Sequence, residues 1–247
     1  MPVLLCDLDD TLFDHDRATR EALGRLRERH RVLARWSLDE LDVRHRVLLE
    51  TLHVDVLAGR LTIDNARRER FARLLEQGEP GESSSAEHLA EDYRDAYAGQ
   101  WYPVSGALEL LQAVRGAGHR VVIVTNNGVA EQQLKLARCG FEPWVDAMVT
   151  SEEAGVSKPT PMIFEQALAR VNATAAEAVM LGDAWGADVE GARAAGVVPV
   201  WFNRKGHTSP DPTVIELTAL APVAAAMDVL RVAGGQTWAA DWRAVRP

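Results

Sequence analysis

Cysteine is nearly absent. Cys6 and Cys139 are the two among 247 residues, one inside an apolar run and the other late in an amphipathic segment. They read as small core hydrophobes of a reducing compartment, and a disulfide framework or a cysteine metal site is excluded. Basic charge is also in short supply, 27 Lys and Arg against 36 Asp and Glu for a net −9. General nucleic-acid binding rests on neutralising phosphates with basic surface, so that class is disfavoured, although a local basic pocket stays open. No segment approaches the ~20 apolar residues that span a bilayer. The N-terminal run Val3-Leu4-Leu5-Cys6 meets acids at once, unlike a secretory signal. The expectation is a cytoplasmic protein with no membrane and no nucleic-acid partner. There is no internal repeat, and nothing in the chain points to an oligomeric state. What the composition does supply is 47% hydrophobic residues, enough to bury the core of one large domain or two small ones.

A β-branched run is missing throughout Arg17 to Ala98. That stretch reads instead as amphipathic helices over Arg17 to Arg35, Leu38 to Ala58, Thr62 to Gln77 and Ala86 to Ala98. Ser37 and Thr62 are capping residues, Gly59 is a stop, and Gly78-Glu79-Pro80-Gly81 with Ser83-Ser84-Ser85 is a loop before the last helix. After Trp101-Tyr102-Pro103 the pattern alternates: helix Gly106 to Ala117, strand Val121 to Val124, helix Val129 to Cys139, strand Ala147 to Val149, helix Pro161 to Val171, strand Ala178 to Leu181, helix Trp185 to Ala195, strand Val198 to Trp201. Such alternation predicts an α/β fold, a doubly wound parallel, Rossmann-like sheet with right-handed crossovers. Residues 1–15 and 101–247 are the expected core, and 16–100 the expected inserted α-helical domain.

Three predicted strands end in chemistry. Val3 to Cys6 delivers Asp7-Leu8-Asp9-Asp10-Thr11, Val121 to Val124 delivers Thr125-Asn126-Asn127-Gly128, and Val179-Met180-Leu181 delivers Gly182-Asp183 with Asp188 a helical turn on. The carboxyl ends of parallel strands are where sites form in such sheets. Asp-x-Asp-x-Thr also opens calcium loops, but those need Gly sixth and Glu twelfth, where Leu12 and Ala18 stand. A turn-forming acidic junction would explain the first cluster alone; it does not explain the repetition at Asp183 and Asp188.

With these residues the chain resembles the haloacid dehalogenase superfamily. That superfamily carries Asp-x-Asp-x-Thr, a Ser or Thr after a second strand, a Lys, and Gly-Asp followed by another Asp. All four occur here in order, as Asp7 to Thr11, Thr125, Lys158 in Ser157-Lys158-Pro159, and Gly182-Asp183 with Asp188. Further similarity, through Asp188 to Ala192, Ala195-Gly196 and Val200 to Asn203, points to the branch of pyrimidine nucleotidases and acylneuraminate phosphatases. Ala184 stands where many relatives carry Ser. In the family a helical insert after the first motif is a cap, and the cap here is rich in arginine: Arg44, Arg46, Arg60, Arg67, Arg68, Arg70 and Arg73. Any one of these reads first as a solvated partner of Glu40, Glu50, Asp64 or Glu69.

The expected activity is hydrolysis of a small phosphorylated metabolite. Phosphate monoesters demand accelerations up to ~10²¹-fold, so several groups must converge. Asp7 is the expected nucleophile, forming an aspartyl-phosphate, and Asp9 the expected acid and then base, which must start protonated. An anionic nucleophile facing an anionic phosphate calls for Mg²⁺ and hard oxygen ligands, here the carboxylates of Asp7 and Asp183. The resemblance implies the Asp9 backbone carbonyl as a third ligand and Asp188 as support for the metal site or Lys158. Asp10, Thr125, Asn126 and Lys158 are the expected substrate or phosphate contacts, with Asn126 equally readable as a shaper of its turn. Dehalogenases of the superfamily lack the second acid, so Asp9 argues against that chemistry. Phosphoglucomutases place a His one turn into the cap, where Thr19 and Arg20 stand. A non-catalytic binding module would have no need of the full set.

Overall fold

A computed structural model describes residues 1–77 and 85–238 and divides the chain into two compact units, Met1–Asp14 with Pro103–Pro247, and His15–Tyr102. The expected loop residues Gly78 to Ser84 lie outside the described residues; Ser85 is described, and its hydroxyl accepts from His88 N at 3.1 Å to start a helix.

The first unit is built on a six-stranded parallel sheet. Its strands are β1 (Val3–Cys6), β2 (Arg120–Thr125), β3 (Ala147–Thr150), β4 (Ala178–Gly182), β5 (Val198–Phe202) and β6 (Ile215–Leu217), in the order β3-β2-β1-β4-β5-β6. Four of the strands are near-continuous apolar runs because helices cover both faces of a parallel sheet; all four residues of β1 are fully buried. Chain order reverses beside β1, and register pairs Cys6 with Ile123 of β2 and with Leu181 of β4. The residues that follow these strands therefore emerge side by side at the reversal, where α/β sheets open a crevice.

The helices of this unit are α6 (Ala107–Gly116), α7 (Val129–Arg138), the short α8 (Ser151–Ala154), α9 (Pro161–Arg170), the single turn α10 (Gly191–Ala194) and α11 (Val223–Gly234). The expected helix Trp185 to Ala195 is instead a π-helical stretch, Trp185–Glu190, running into α10. Wide turns of this kind concentrate at functional sites, and this one carries Asp188. Strand β6 and helix α11 have no counterpart in the sequence expectation; three residues are too few to show a period.

The second unit holds α1 (His15–Arg29), α2 (Arg31–Ala34), α3 (Leu38–Leu57), α4 (Ile63–Glu76) and α5 (Ala86–Ala98). The single helix expected over Arg17 to Arg35 breaks at His30, whose backbone is extended (φ −115°, ψ 107°) and whose Nε2 lies 2.7 Å from Asp92 Oδ2. Ser37 and Glu40 form a reciprocal capping box at the start of α3. Arginines of the middle helices pair locally, Arg46 with Asp42, Arg60 with Asp55, Arg67 with Asp64 and Arg73 with Glu69. Arg70 is the buried exception, over the Tyr93 ring. His45 is fully buried between the rings of Phe71 and Tyr93.

Candidate active site

Asp7 continues β1 by one step, its N–H donating to the Leu181 carbonyl of β4 at 2.9 Å. That pairing fixes the side chain, 6% exposed, at the sheet's reversal. Its Oδ1 accepts from Lys158 Nζ at 2.6 Å and its Oδ2 faces the Thr11 hydroxyl at 3.3 Å. Thr11 also ties the neighbouring strand end, accepting from Asp183 N at 3.1 Å and lying 3.5 Å from Asp183 Oδ1. The Trp201 indole donates to the Asp183 carbonyl at 2.8 Å.

Lys158 is buried between two acids, 2.6 Å from Asp7 and 2.6 Å from Asp188. Burial pulls its pKa down, but Asp188 and Asp7 outweigh that and leave it raised, so it is a permanent cation. Asp188 is 1% exposed and its second oxygen accepts from Ala184 N at 2.9 Å. The carboxylate lies against Gly182, where an added Cβ would stand 2.3 Å from it, so only glycine fits there.

Ligand oxygens of Asp7, Asp183 and Asp188 lie within 4.8 Å of one another. When all are ionised, three carboxylates with one ammonium leave a surplus of two negative charges. The strain shows in the carboxyls: burial, then Asp188, pushes Asp7 up to about 7 against the pull of Lys158. Burial, then Asp7 and Asp188, pushes Asp183 up to about 8. A hard divalent cation among these oxygens would neutralise the surplus, so the donor set fits Mg²⁺.

Asp9 contacts a different set of side chains. Its Oδ1 is 2.6 Å from Lys135 Nζ, and its Oδ2 accepts from Gln132 Nε2 at 2.8 Å and Asn127 Nδ2 at 3.4 Å. The same Gln132 amide donates to the Thr125 hydroxyl at 2.7 Å. Thr125 ends β2 and is 1% exposed.

Two of the expected substrate contacts have partners within the protein. Asn126 spends both ends of its amide on the Lys158 backbone, accepting from its N–H at 2.8 Å and donating to its carbonyl at 2.9 Å. It shapes the turn and fixes the lysine loop. Asp10, at φ 62°, gives its carboxylate to Arg204 at 2.7 Å and Lys205 at 3.5 Å. A carboxylate held by two cations is an anchor. Gln132, Lys135, Thr11, Trp201 and Arg204 were not among the expected residues. One signal was available for Lys135, since it falls beside Leu136 on the apolar face of α7.

Comparison with known proteins follows the same lines. Residues 1–196 match the family of haloacid dehalogenase-like hydrolases, and 155–240 match a second, HAD-hydrolase-like family. The chain is 32% identical over 204 residues to a ribulose-1,5-bisphosphate 5-phosphatase of Halopiger xanaduensis, covering 81% of this chain and 84% of that one. It is 32% identical over 209 residues to the pyrimidine 5'-nucleotidase YjjG of Escherichia coli, covering 83% and 87%. Among solved structures it is similar to the HAD-hydrolase YfnB of Bacillus subtilis bound to magnesium, with TM-score 0.76, 25% identity and coverage of 92% and 98%.

Proposed function

The chain belongs to the haloacid dehalogenase-like hydrolases, and we propose that it is a Mg²⁺-dependent phosphomonoester hydrolase working through an aspartyl-phosphate on Asp7. It is an enzyme with phosphatase and nucleotidase relatives. The observation that carries the mechanism is the buried Asp7 carboxylate, gripped by Lys158 and Thr11, beside Asp183 and two residues before a second acid.

One Asp7 oxygen attacks phosphorus in line, and the P–O bond to the leaving alcohol breaks. Asp9 gives that oxygen a proton, then takes one from the water that attacks the aspartyl-phosphate and releases phosphate. Thr125 and Lys158 receive the phosphoryl oxygens, where preset donors act on developing charge. Asn126 and Asp188 hold Lys158 in place. The carboxylates of Asp7 and Asp183 with the Asp9 carbonyl would hold Mg²⁺, and Asp188 supports them through Lys158. Bound there, the ion supplies the positive charge that lets an anionic nucleophile approach an anionic ester. The helical unit His15–Tyr102 would serve as the cap. The substrate class is small phosphomonoesters, with nucleotides and sugar phosphates first because the relatives named above act on these. Two buried free thiols fit a cytoplasmic setting, and among the described residues no helix is long and apolar enough to cross a membrane.

The test is a panel of nucleotides, sugar phosphates and acylneuraminate phosphate, run with Mg²⁺ and after complete chelation. Phosphate release that needs the ion is expected. Undiminished activity without it, or halide release from a 2-haloacid, would overturn the proposal.

A further inference from the structure

Lys135 is the only lysine besides Lys158 among the largely buried polar residues of the described chain, and the mechanism above leaves it without a task. Its side chain has no exposure, its ammonium stands 4.8 Å from the centre of the Phe13 ring, and it reaches Asp9 at 2.6 Å and Glu131 at 3.1 Å. A buried cation is costly unless paired. A leucine or methionine would suit this face of α7 better if packing were the only demand.

Gln132, nearly one turn earlier, is equally buried and makes the same point from the other side. Its Nε2 bridges Asp9 and Thr125, while its Oε1 has no hydrogen-bond partner. Turning the amide over would set that oxygen against the Asp9 carboxylate, so the orientation is fixed by charge. An unmatched buried acceptor is a cost with no structural return. The donor end is what the fold retains.

We propose that Gln132 and Lys135 are positioning residues that together fix the Asp9 carboxyl group beside the Thr125 hydroxyl, so that the proton-transfer group and the phosphoryl-binding group keep one geometry. The two belong to different strand ends, β1 and β2, and α7 spans both. The proposal rests on Asp9 as the acid of the reaction above.

The experiment measures single-turnover phosphorylation and steady-state kcat and KM for the Mg²⁺-loaded enzyme on an alkyl and an aryl phosphate. Lys135→Met should lower the phosphorylation rate on the alkyl ester about 10- to 100-fold, as small misplacements of catalytic groups do. The loss should be smaller on the aryl ester, whose leaving group needs less help, and KM should stay within about twofold because Asp9 assists departure rather than binding. In an Asp9→Asn background the same substitution should cost less than about twofold, since nothing is left to position. Gln132→Met tests the bridge without emptying space. Its melting temperature should equal or exceed the parent's while its alkyl-ester rate falls, a split that a packing role would not produce. Should Lys135→Met fail to fold, Gln132→Met carries the same cycle. A parental phosphorylation rate in either variant, or a Lys135→Met effect as large in the Asp9→Asn background as in the parent, overturns the positioning role. Equal losses on both esters in Asp9→Asn alone would instead remove Asp9 from the acid role and with it the underlying mechanism.

Discussion

Asp188→Asn keeps the shape of the most buried acid of the site and removes its charge. Both carboxylate oxygens face donors, Lys158 Nζ at 2.6 Å and Ala184 N–H at 2.9 Å. An amide brings one acceptor and one donor, so whichever way it turns, an NH₂ group faces a donor. Removing one partner of a buried ion pair typically costs ~3–5 kcal/mol. Lys158 keeps Asp7, which places the loss near the lower end, about 3 kcal/mol. Relief of repulsion works the other way, because Asp188 raises both Asp7 and Asp183. That relief is reduced at pH 7 without metal, since carboxyls pushed to about 7 and about 8 are partly protonated there. The net loss should stay near 3 kcal/mol, or roughly 6–12 °C in melting temperature for a unit of this size. Urea and thermal unfolding in chelator at pH 7 would measure it. A loss below about 1 kcal/mol would refute the view that Asp188 is held by two obligatory donors.

Asp7→Ala should abolish turnover and the trapped aspartyl-phosphate detected by mass spectrometry; Asp7→Asn is the weaker test because the amide can deamidate back. Gly182→Ala puts a Cβ 2.3 Å from the Asp188 carboxylate, so it should destabilise by about 1–3 kcal/mol and lower kcat by displacing Lys158's partner. His45 is buried with neither ring nitrogen hydrogen-bonded, and burial first, then Arg70, holds its pKa well below the usual value. The unfolded chain therefore binds a proton that the folded chain refuses, and stability is lost as pH falls below ~6.5. His45 alone should cost up to about 2 kcal/mol between pH 7 and pH 5. His45→Phe should flatten the pH dependence of unfolding by that amount, and an unchanged slope would show that His45 is not the titrating group.

Strand ends were legible because apolar runs stop abruptly at polar residues, and register does the rest: Cys6, Ile123 and Leu181 align, so Asp7, Thr125 and Asp183 come out together. Helix starts were legible where a hydroxyl caps them, as at Ser37, Thr62 and Ser85. The partners of Asp10 and Asn126 could not be read from the sequence. These partners, Arg204 and the Lys158 backbone, lie 194 and 32 residues away, and neither spacing leaves a local pattern. Lys135 and Gln132 were hidden for another reason. Polar residues on an amphipathic helix read as solvated unless the apolar face is counted, and both sit on it. The wide turn at Trp185–Glu190 was invisible because six residues are too few to separate a π-helical from an α-helical period.

The three acids at the end of β1 show how neighbouring residues of one chemistry take different tasks. Each has its own cation from a different part of the chain: Asp7 has Lys158 from the loop before α9, Asp9 has Lys135 from α7, and Asp10 has Arg204 and Lys205 from beyond β5. Arg204 also holds Asp14 at 2.9 Å, so the anchored acid ties both ends of the segment that leaves the sheet. Left uncompensated, three carboxylates within four residues would repel one another and any phosphate brought to them. Paired in this way, Asp7 shares its surroundings with two further acids, the half-buried Asp183 and the buried Asp188. Surplus negative charge is thus concentrated at one point, around the nucleophile, which is where a divalent cation is wanted and where phosphorus must approach. Partner choice, more than residue type, separates nucleophile, acid and anchor.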